Sequence, residues 1–423
     1  MGDLMKTAAL FVVLSGVAGA TSWRADLVEA RKLQNSGQAG KAESIYGNMV
    51  STAKGLPPGE QNSMALDLFY ATRYREAEAV YHLALNGWAL EGSSAASDRI
   101  TTAANLATLL RVEGRYPEAE RMLLDCLSQA EAVAGKDSLL WGRNASGLAA
   151  LYLVWERTAE AKKFALATKA TFESVHAPES ERINNLSILA SIYVQETYYD
   201  EAEPLLRAVL ENANPRLLAR TYNELAVIAL RRQRFEEAES FALKALEAEE
   251  QSAGSGAPMS AGIRNILADI DLHQGRYVEA EQHYREAIAI WESRLGKQHP
   301  DTGRAYLNLA AFYHQRGHEA GAEQLFRSAA GIFEKTLGND HVLTSIARNE
   351  LADVLRAERR FSESERLGRA SLTALQEKLG PRDPRVLRAL ENQARLFAST
   401  SHPKEAAAVR AQIDQMSKGF EPE

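Results

Sequence analysis

One short phrase recurs along this chain. It reads RYREAEAVYHLAL from residue 73, GRYPEAERMLLDCL from 114, YYDEAEPLLRAVL from 198, RFEEAESFALKAL from 234 and GRYVEAEQHYREAIAI from 275. Taking its aromatic residue as a zero mark gives Tyr74, Tyr116, Tyr199, Phe235, Tyr277 and Phe361. Neighbouring residues place four further, degenerate marks at Ala39, Thr158, Glu319 and Pro403. Successive gaps are 35, 42, 42, 41, 36, 42, 42, 42 and 42 residues. A period in this range is the signature of a stacked-repeat architecture, because one unit is too small to bury its apolar face alone and must lean on the next.

Other positions keep register with the mark. Three residues after it stands an alanine, at 42, 77, 119, 161, 202, 238, 280 and 322, with Ser364 departing. Ten and nine residues before it stands a Leu-Ala pair, from Leu106-Ala107 to Leu351-Ala352. Positions −10, −9 and −6 share one helical face, and +3, +7, +10 and +11 share another. A glycine or polar turn separates the two runs, as at Gly114, Gly275 and Gly317. Each unit therefore reads as helix, tight turn, helix. Small residues at −9 and +3 let the two backbones approach closely; a larger side chain there would overpack the contact at a cost of about 1–3 kcal/mol.

These residues resemble the tetratricopeptide repeat, whose pattern of Leu-Gly/Ala, aromatic and Ala-x3-aromatic matches over about residues 24 to 418. The longer 42-residue unit resembles the kinesin light chain type, best in LGKQHPDTGRAYLNLAAFY from 295 and in part in LGNDHVLT from 337 and LGPRDPRVL from 379. His341 lacks the following proline, and Asp383 stands where the pattern has His. The resemblance implies an all-α solenoid of about ten stacked helix-turn-helix repeats, a superhelix filling residues 21–423 as a single domain. The eight residues beyond the usual 34 amount to about two helical turns. They extend each second helix up to Gly296, Gly338 or Gly380. Pro178, Pro215, Pro258, Pro300 and Pro384 restart the following helix, where a missing N–H costs nothing, with Asn214 and Asp383 as N-cap candidates. EGSSAASD (91–98) and SAGSGAP (252–258) read as loops, and 404–416 as a capping helix.

Of 423 residues, 45% are hydrophobic and 25% charged, the composition of a folded soluble chain. A net charge of −7 gives no general attraction for nucleic acid or anionic lipid. The single cysteine, Cys126, excludes an internal disulfide and, at position +10 where other repeats have Ala245, Ala287 and Ala329, reads as a small core residue. Residues 1–20, MGDLMKTAALFVVLSGVAGA, have a short polar start, an apolar run and Ala18-Gly19-Ala20, the layout of a cleavable signal peptide. The expectation is export, periplasmic or secreted, after cleavage near Ala20, leaving no integral membrane segment in the mature chain and its charge at −7.

No HExxH, phosphate loop or serine elbow occurs, so the reading is a non-enzymatic chain with no cofactor, metal or catalytic residue. His299 and His341 share position −20 and read as loop or surface residues, while His314 and His318 have metal-ligand spacing without a third ligand. Paired carboxylates such as Glu237 and Glu239 read as solvated helix faces.

What remains is a polar stripe on each first helix, at −15, −12, −8 and −5, turned about 130° from the Leu-Ala face. In the family it resembles, this stripe lines the concave groove that binds peptides or partner proteins. Here it carries Arg143, Arg220, Arg304 and Arg388 at −15, and Asn62, Asn223, Asn265 and Asn349 at −12. Asp269 and Asp353 follow at −8, and Arg356 and His314 at −5, with Leu230 and Leu272 as apolar floor. Asparagine is unfavourable inside a helix, but its carboxamide offers a donor and an acceptor to an extended backbone. Arginine beside it would pair with carboxylates. The expected candidates for peptide binding are Arg143, Arg220, Asn223, Asn265, Asp269, Arg304, Asn349, Asp353 and Arg356. The leading expectation is a protein- or peptide-binding scaffold. The alternatives are an accessory or regulatory subunit of an exported enzyme or secretion/envelope complex, a hidden enzyme, and self-association through open ends.

Overall fold

The computed structural model describes residues 22–36, 38–212, 215–253, 257–381 and 383–417. Expectations for the leader and for Asn214 fall outside them. Twenty α-helices and no strand occur among the described residues. In chain order the pairs are α1 (Ser22–Asn35) and α2 (Ala39–Ala53), α3 (Pro58–Tyr70) and α4 (Tyr74–Leu90), α5 (Ala96–Val112) and α6 (Tyr116–Ala134), and α7 (Leu139–Val154) and α8 (Thr158–Ser174). There follow α9 (Glu179–Gln195) and α10 (Tyr199–Asn212), α11 (Pro215–Arg231) and α12 (Phe235–Ala253), and α13 (Pro258–His273) and α14 (Tyr277–Arg294). The last are α15 (Pro300–Gln315) and α16 (Glu319–Thr336), α17 (Val342–Ala357) and α18 (Phe361–Leu379), and α19 (Pro384–Ser399) and α20 (Pro403–Ser417). The protein is an all-α solenoid of helix-turn-helix repeats. Every second helix begins at its mark residue, degenerate marks included.

Contacts divide the chain into two compact units, one up to Leu109 and one from Leu110 onward, with the division inside α5. In the second unit each hairpin packs on itself and on the next, and core clusters join neighbouring repeats, as where Ala310, Ala322 and Phe326 meet Leu351, Val354 and Leu355. The alanines three residues past the mark are all buried. Ser364, the departure, explains itself: its Oγ donates to the carbonyl of Ala352 at 2.6 Å. That bond spans +3 to −9 of one repeat, the two small positions where the backbones approach. Cys126 is buried as expected, and burial pushes its thiol up to about 12.

The turns obey one backbone rule. Two residues before the mark the chain takes φ of +57° to +77°, at Gly114, Gly275 and Gly317 but also at Thr72, Glu156, Thr197, Gln233 and Arg359. The long second helices stop before Gly296, Gly338 and Gly380, all at positive φ. Prolines open α11, α13, α15 and α19, while Pro178 is the N-cap of α9. Asp383 caps α19 by accepting the Arg385 N–H at 2.8 Å. The 91–98 stretch is shorter as a loop than its composition suggests, since a 3-10 turn fills Gly92–Ala95 and α5 starts at Ala96. The Lys404–Met416 segment lies in α20, whose Val409, Ile413 and Met416 close the cluster around Leu375 and Val386.

The carboxylates of the phrase are not merely solvated. Arginine just before the mark reaches the glutamate four residues past the mark of the preceding repeat: Arg73 to Glu43 (2.5 Å), Arg157 to Glu120 (2.6 Å), Arg276 to Glu239 (3.0 Å), and Arg360 to Glu323. It also holds the glutamate at +2 of its own repeat, as in Arg115–Glu118 (2.9 Å) and Arg234–Glu237 (2.7 Å). Where Lys162 replaces the +4 glutamate, Glu196 answers it at 2.7 Å with the polarity reversed. In these repeats the recurring spacing of the phrase lets one copy clamp the next.

Candidate functional site

The predicted stripe lies on the first helices, and the fold treats its members differently. On α7, Arg143 is half exposed and pairs with Glu181 at the start of α9 (2.7 Å). On α11, Arg220 donates to Ser191 Oγ of α9 at 3.2 Å, and Ser191 in turn donates to Glu224 at 2.9 Å. Surrounding protein desolvates both charged ends, pushing Glu224 up and Arg220 down from their ordinary values. Beside this group opens a cleft of about 440 Å³ lined by Glu181, Ile183, Asn184, Leu217, Arg220 and Met259.

Three of the four −12 asparagines share one feature. Asn223 on α11, Asn265 on α13 and Asn349 on α17 each have a buried Oδ1 with no partner among the described residues. Asn265 and Asn349 are buried as whole residues, so they are less open than a groove-lining position implies. In the first unit, Asn62 accepts from Asn105 at 3.2 Å. Asp269 accepts from the Tyr284 hydroxyl of α14, and burial raises its carboxyl from the ordinary value.

Asp353, Arg356 and His314 come together, and α19 adds Arg395. Asp353 accepts from Arg356 Nε (2.6 Å) and Arg395 (3.0 Å), and lies 3.2 Å from His314 Nε2. Burial works to raise its pKa, but the His314 and Arg356 hydrogen bonds carry it well below the usual carboxylate range. The bond to Asp353, then that to Glu319 (2.6 Å from Nδ1), raises the His314 pKa. Here the −8 and −5 positions form a closed ion cluster. Arg388 is similarly paired, with Glu350 at 2.7 Å.

Arg304 is placed elsewhere in function. Its guanidinium reaches the Val154 carbonyl and Glu156 Oε1, both at 3.1 Å, at the turn between α7 and α8. The supposed loop histidines differ too. His299 is buried, and both His299 and His341 cap a helix, accepting at Nδ1 from the N–H of Asp301 (3.1 Å) and Leu343 (3.2 Å). A residue immediately before a helix start has the N–H of the helix's second residue in reach, which a linear reading of spacing does not show. Ser191 and Arg395, which the stripe reading missed, also occupy −8; carrying the register through α9 and α19 finds both.

Tetratricopeptide repeat models match residues 99–139, 186–219, 218–255, 259–335 and 344–385, together more than half of the chain. The chain belongs to the tetratricopeptide repeat family. Its recurring 42-residue spacing resembles that of the kinesin light chain type of repeat. Among solved structures it is similar to the apo quorum sensor NprR of B. thuringiensis, at 17% identity over 84% of this chain and 97% of that one, with a TM-score of 0.51. A Rap protein complexed with Competence and Sporulation Factor is similar at 13% identity, covering 76% and 98%, with a TM-score of 0.51. The kinesin light chain-type TPR-like repeats of Podosopora anserina align at 21% identity over 50% and 99%, with a TM-score of 0.40. No curated protein matches the chain. At these identities the likeness speaks for the fold.

Proposed function

We propose that this tetratricopeptide repeat protein is a scaffold without catalysis of its own, which binds a protein or peptide segment along the stripe of α9, α11 and α13. The observation that carries the reading is Arg220 at the edge of its 440 Å³ cleft, bonded to the Ser191 hydroxyl, with the orphaned Oδ1 of Asn223 one turn further on. An extended segment supplies a main-chain N–H for the carboxamide oxygen and a further carboxylate, besides Glu224, for the guanidinium. The Asp353 carboxylate, already held by His314, Arg356 and Arg395, is a support for the stripe rather than a contact. A protein of similar fold, the Rap protein, is complexed with Competence and Sporulation Factor, which supports partner binding as the role of such a stack.

We place the protein outside the cytoplasm on the strength of its first twenty residues, where it would serve as an accessory subunit of an exported assembly. Light scattering on the leaderless chain tests whether its ends self-associate. No helix of the described residues is long and apolar enough to cross a membrane.

A photoreactive residue at Arg143, on the stripe, and another at Leu243, exposed on the outer side of α12, test the binding face in native extract. Adducts are expected from the first, falling at least severalfold with Arg220→Ala and Asn223→Ala while the melting temperature holds. Adducts from Leu243 alone would move the binding face to the second helices and end this reading.

A further inference from the structure

Within the second unit, segments some 150 to 190 residues apart meet. Val112 and Trp155 sit at the ends of α5 and α7, and each offers its carbonyl to a histidine at the start of a later helix. His299 Nε2 lies 2.8 Å from Val112 O, and His341 Nε2 lies 3.2 Å from Trp155 O. Since each ring accepts at Nδ1, Nε2 carries the hydrogen and donates it. Arg304 adds its bonds to Val154 O and Glu156, and Arg385 stands 3.8 Å from the same glutamate.

Two further observations mark this as a fitted contact. A Cβ on Gly114 would come within 2.7 Å of the Pro300 ring. Yet the equivalent turn position accepts side chains elsewhere, at Thr197, Gln233 and Arg359, so the turn itself does not demand glycine. Tyr116, next to it and 5.8 Å from the Trp155 ring, is 2% exposed, whereas the equivalent Tyr277 is 40% exposed.

We propose that these groups form a latch, in which the turns after α5 and α7 grip the starts of α15 and α17 and hold the second unit closed on itself. The grip consists of a few hydrogen bonds, two partly exposed ion pairs to Glu156 and a small apolar contact. It opens at lower free energy than the repeat stack unfolds, as segments with few buried apolar contacts do. Closed, it joins repeats far apart along the stack; open, it leaves every neighbour-to-neighbour interface intact. Its consequence for a partner, that exchange along the stripe is gated by opening, rests on the peptide-binding reading. The latch itself is tested without any partner, so the two ideas fail separately.

The experiment compares Gly114→Gln with Gly275→Gln in the full chain by amide hydrogen exchange. Both put glutamine, as in Gln233, on a turn at positive φ, but nothing lies within 4 Å of a Cβ on Gly275. In the unaltered protein, peptides covering 110–118 and 297–306 should exchange about tenfold more slowly than those covering the 273–279 turn and the start of α13. Gly114→Gln should abolish that difference in both segments together, with the interiors of α11 and α13 still slow. Gly275→Gln should leave it in place. Should Gly114→Gln fold poorly, Glu156→Gln gives the same joint acceleration without touching the turn's glycine. Equal exchange at the two sites in the unaltered protein, or acceleration of 110–118 without 297–306, overturns the latch.

Discussion

Arg157, the residue just before one repeat's mark, lies 2.6 Å from Glu120, four residues past the mark of the repeat before it. The same guanidinium holds Glu160 at 2.7 Å and stacks over Tyr152 at 4.4 Å. An isolated surface ion pair contributes little, but one cation shared by two carboxylates and a ring is a small network. Arg157→Met should lower stability by about 1 kcal/mol. In a double-mutant cycle with Glu120→Gln, the coupling should shrink in 1 M salt. The reversed pair gives the sharper check: Lys162→Glu should destabilise by a few tenths of a kcal/mol or more, and adding Glu196→Lys should recover most of it.

The small seam inside each repeat predicts an asymmetry. Ala322→Leu puts a larger side chain where two backbones approach and should cost about 1–3 kcal/mol in urea unfolding. Ser364→Ala restores the alanine of the other repeats. It loses one hydrogen bond to a carbonyl that its helix already occupies, so its change should stay within about 1 kcal/mol.

Thr197 holds φ +65°. A β-branched residue there is strained, and glycine is not. Thr197→Gly should therefore raise stability by about 0.5–1 kcal/mol, the strain relief exceeding the added unfolded-chain entropy. A lower melting temperature for this variant would show that the threonine side chain makes a compensating contact.

Two histidines should respond to pH with opposite signs. His314 is raised, first by its bond to Asp353, so its contribution is complete below its unfolded value of about 6.5 and is lost as pH rises through the folded value. His341 is lowered, first by burial, so its contribution is complete above about 6.5 and is lost as pH falls through the folded value. Ring-proton NMR titrations should place the two on either side of an ordinary histidine. Asp353→Asn should move His314 back down and cost roughly 2–3 kcal/mol, because it leaves Arg356 and Arg395 facing an uncharged amide.

The candidate stripe is legible in the sequence only in outline. Register alone found Arg220 and Asn223, and carrying it further would have reached Ser191 and Arg395. It could not separate Arg220, beside an open cleft, from Asp353, enclosed by its own ion cluster, because the pairing depends on residues one or two repeats away. The acids of the phrase are hidden from a linear reading for the same reason: Glu239 looks solvated until Arg276 of the next repeat is folded against it.

The repeat period, the helix starts, the alanine seam and the all-α solenoid were all written into the order of residues. Each depends on contacts inside one hairpin or between adjacent ones, and a local pattern repeated ten times encodes such contacts redundantly. Folding alone brought Arg304 to Glu156 and His299 to Val112, across more than 140 residues. Those meetings follow from small rotations between successive repeats, summed over several of them, and no single stretch of sequence carries that sum.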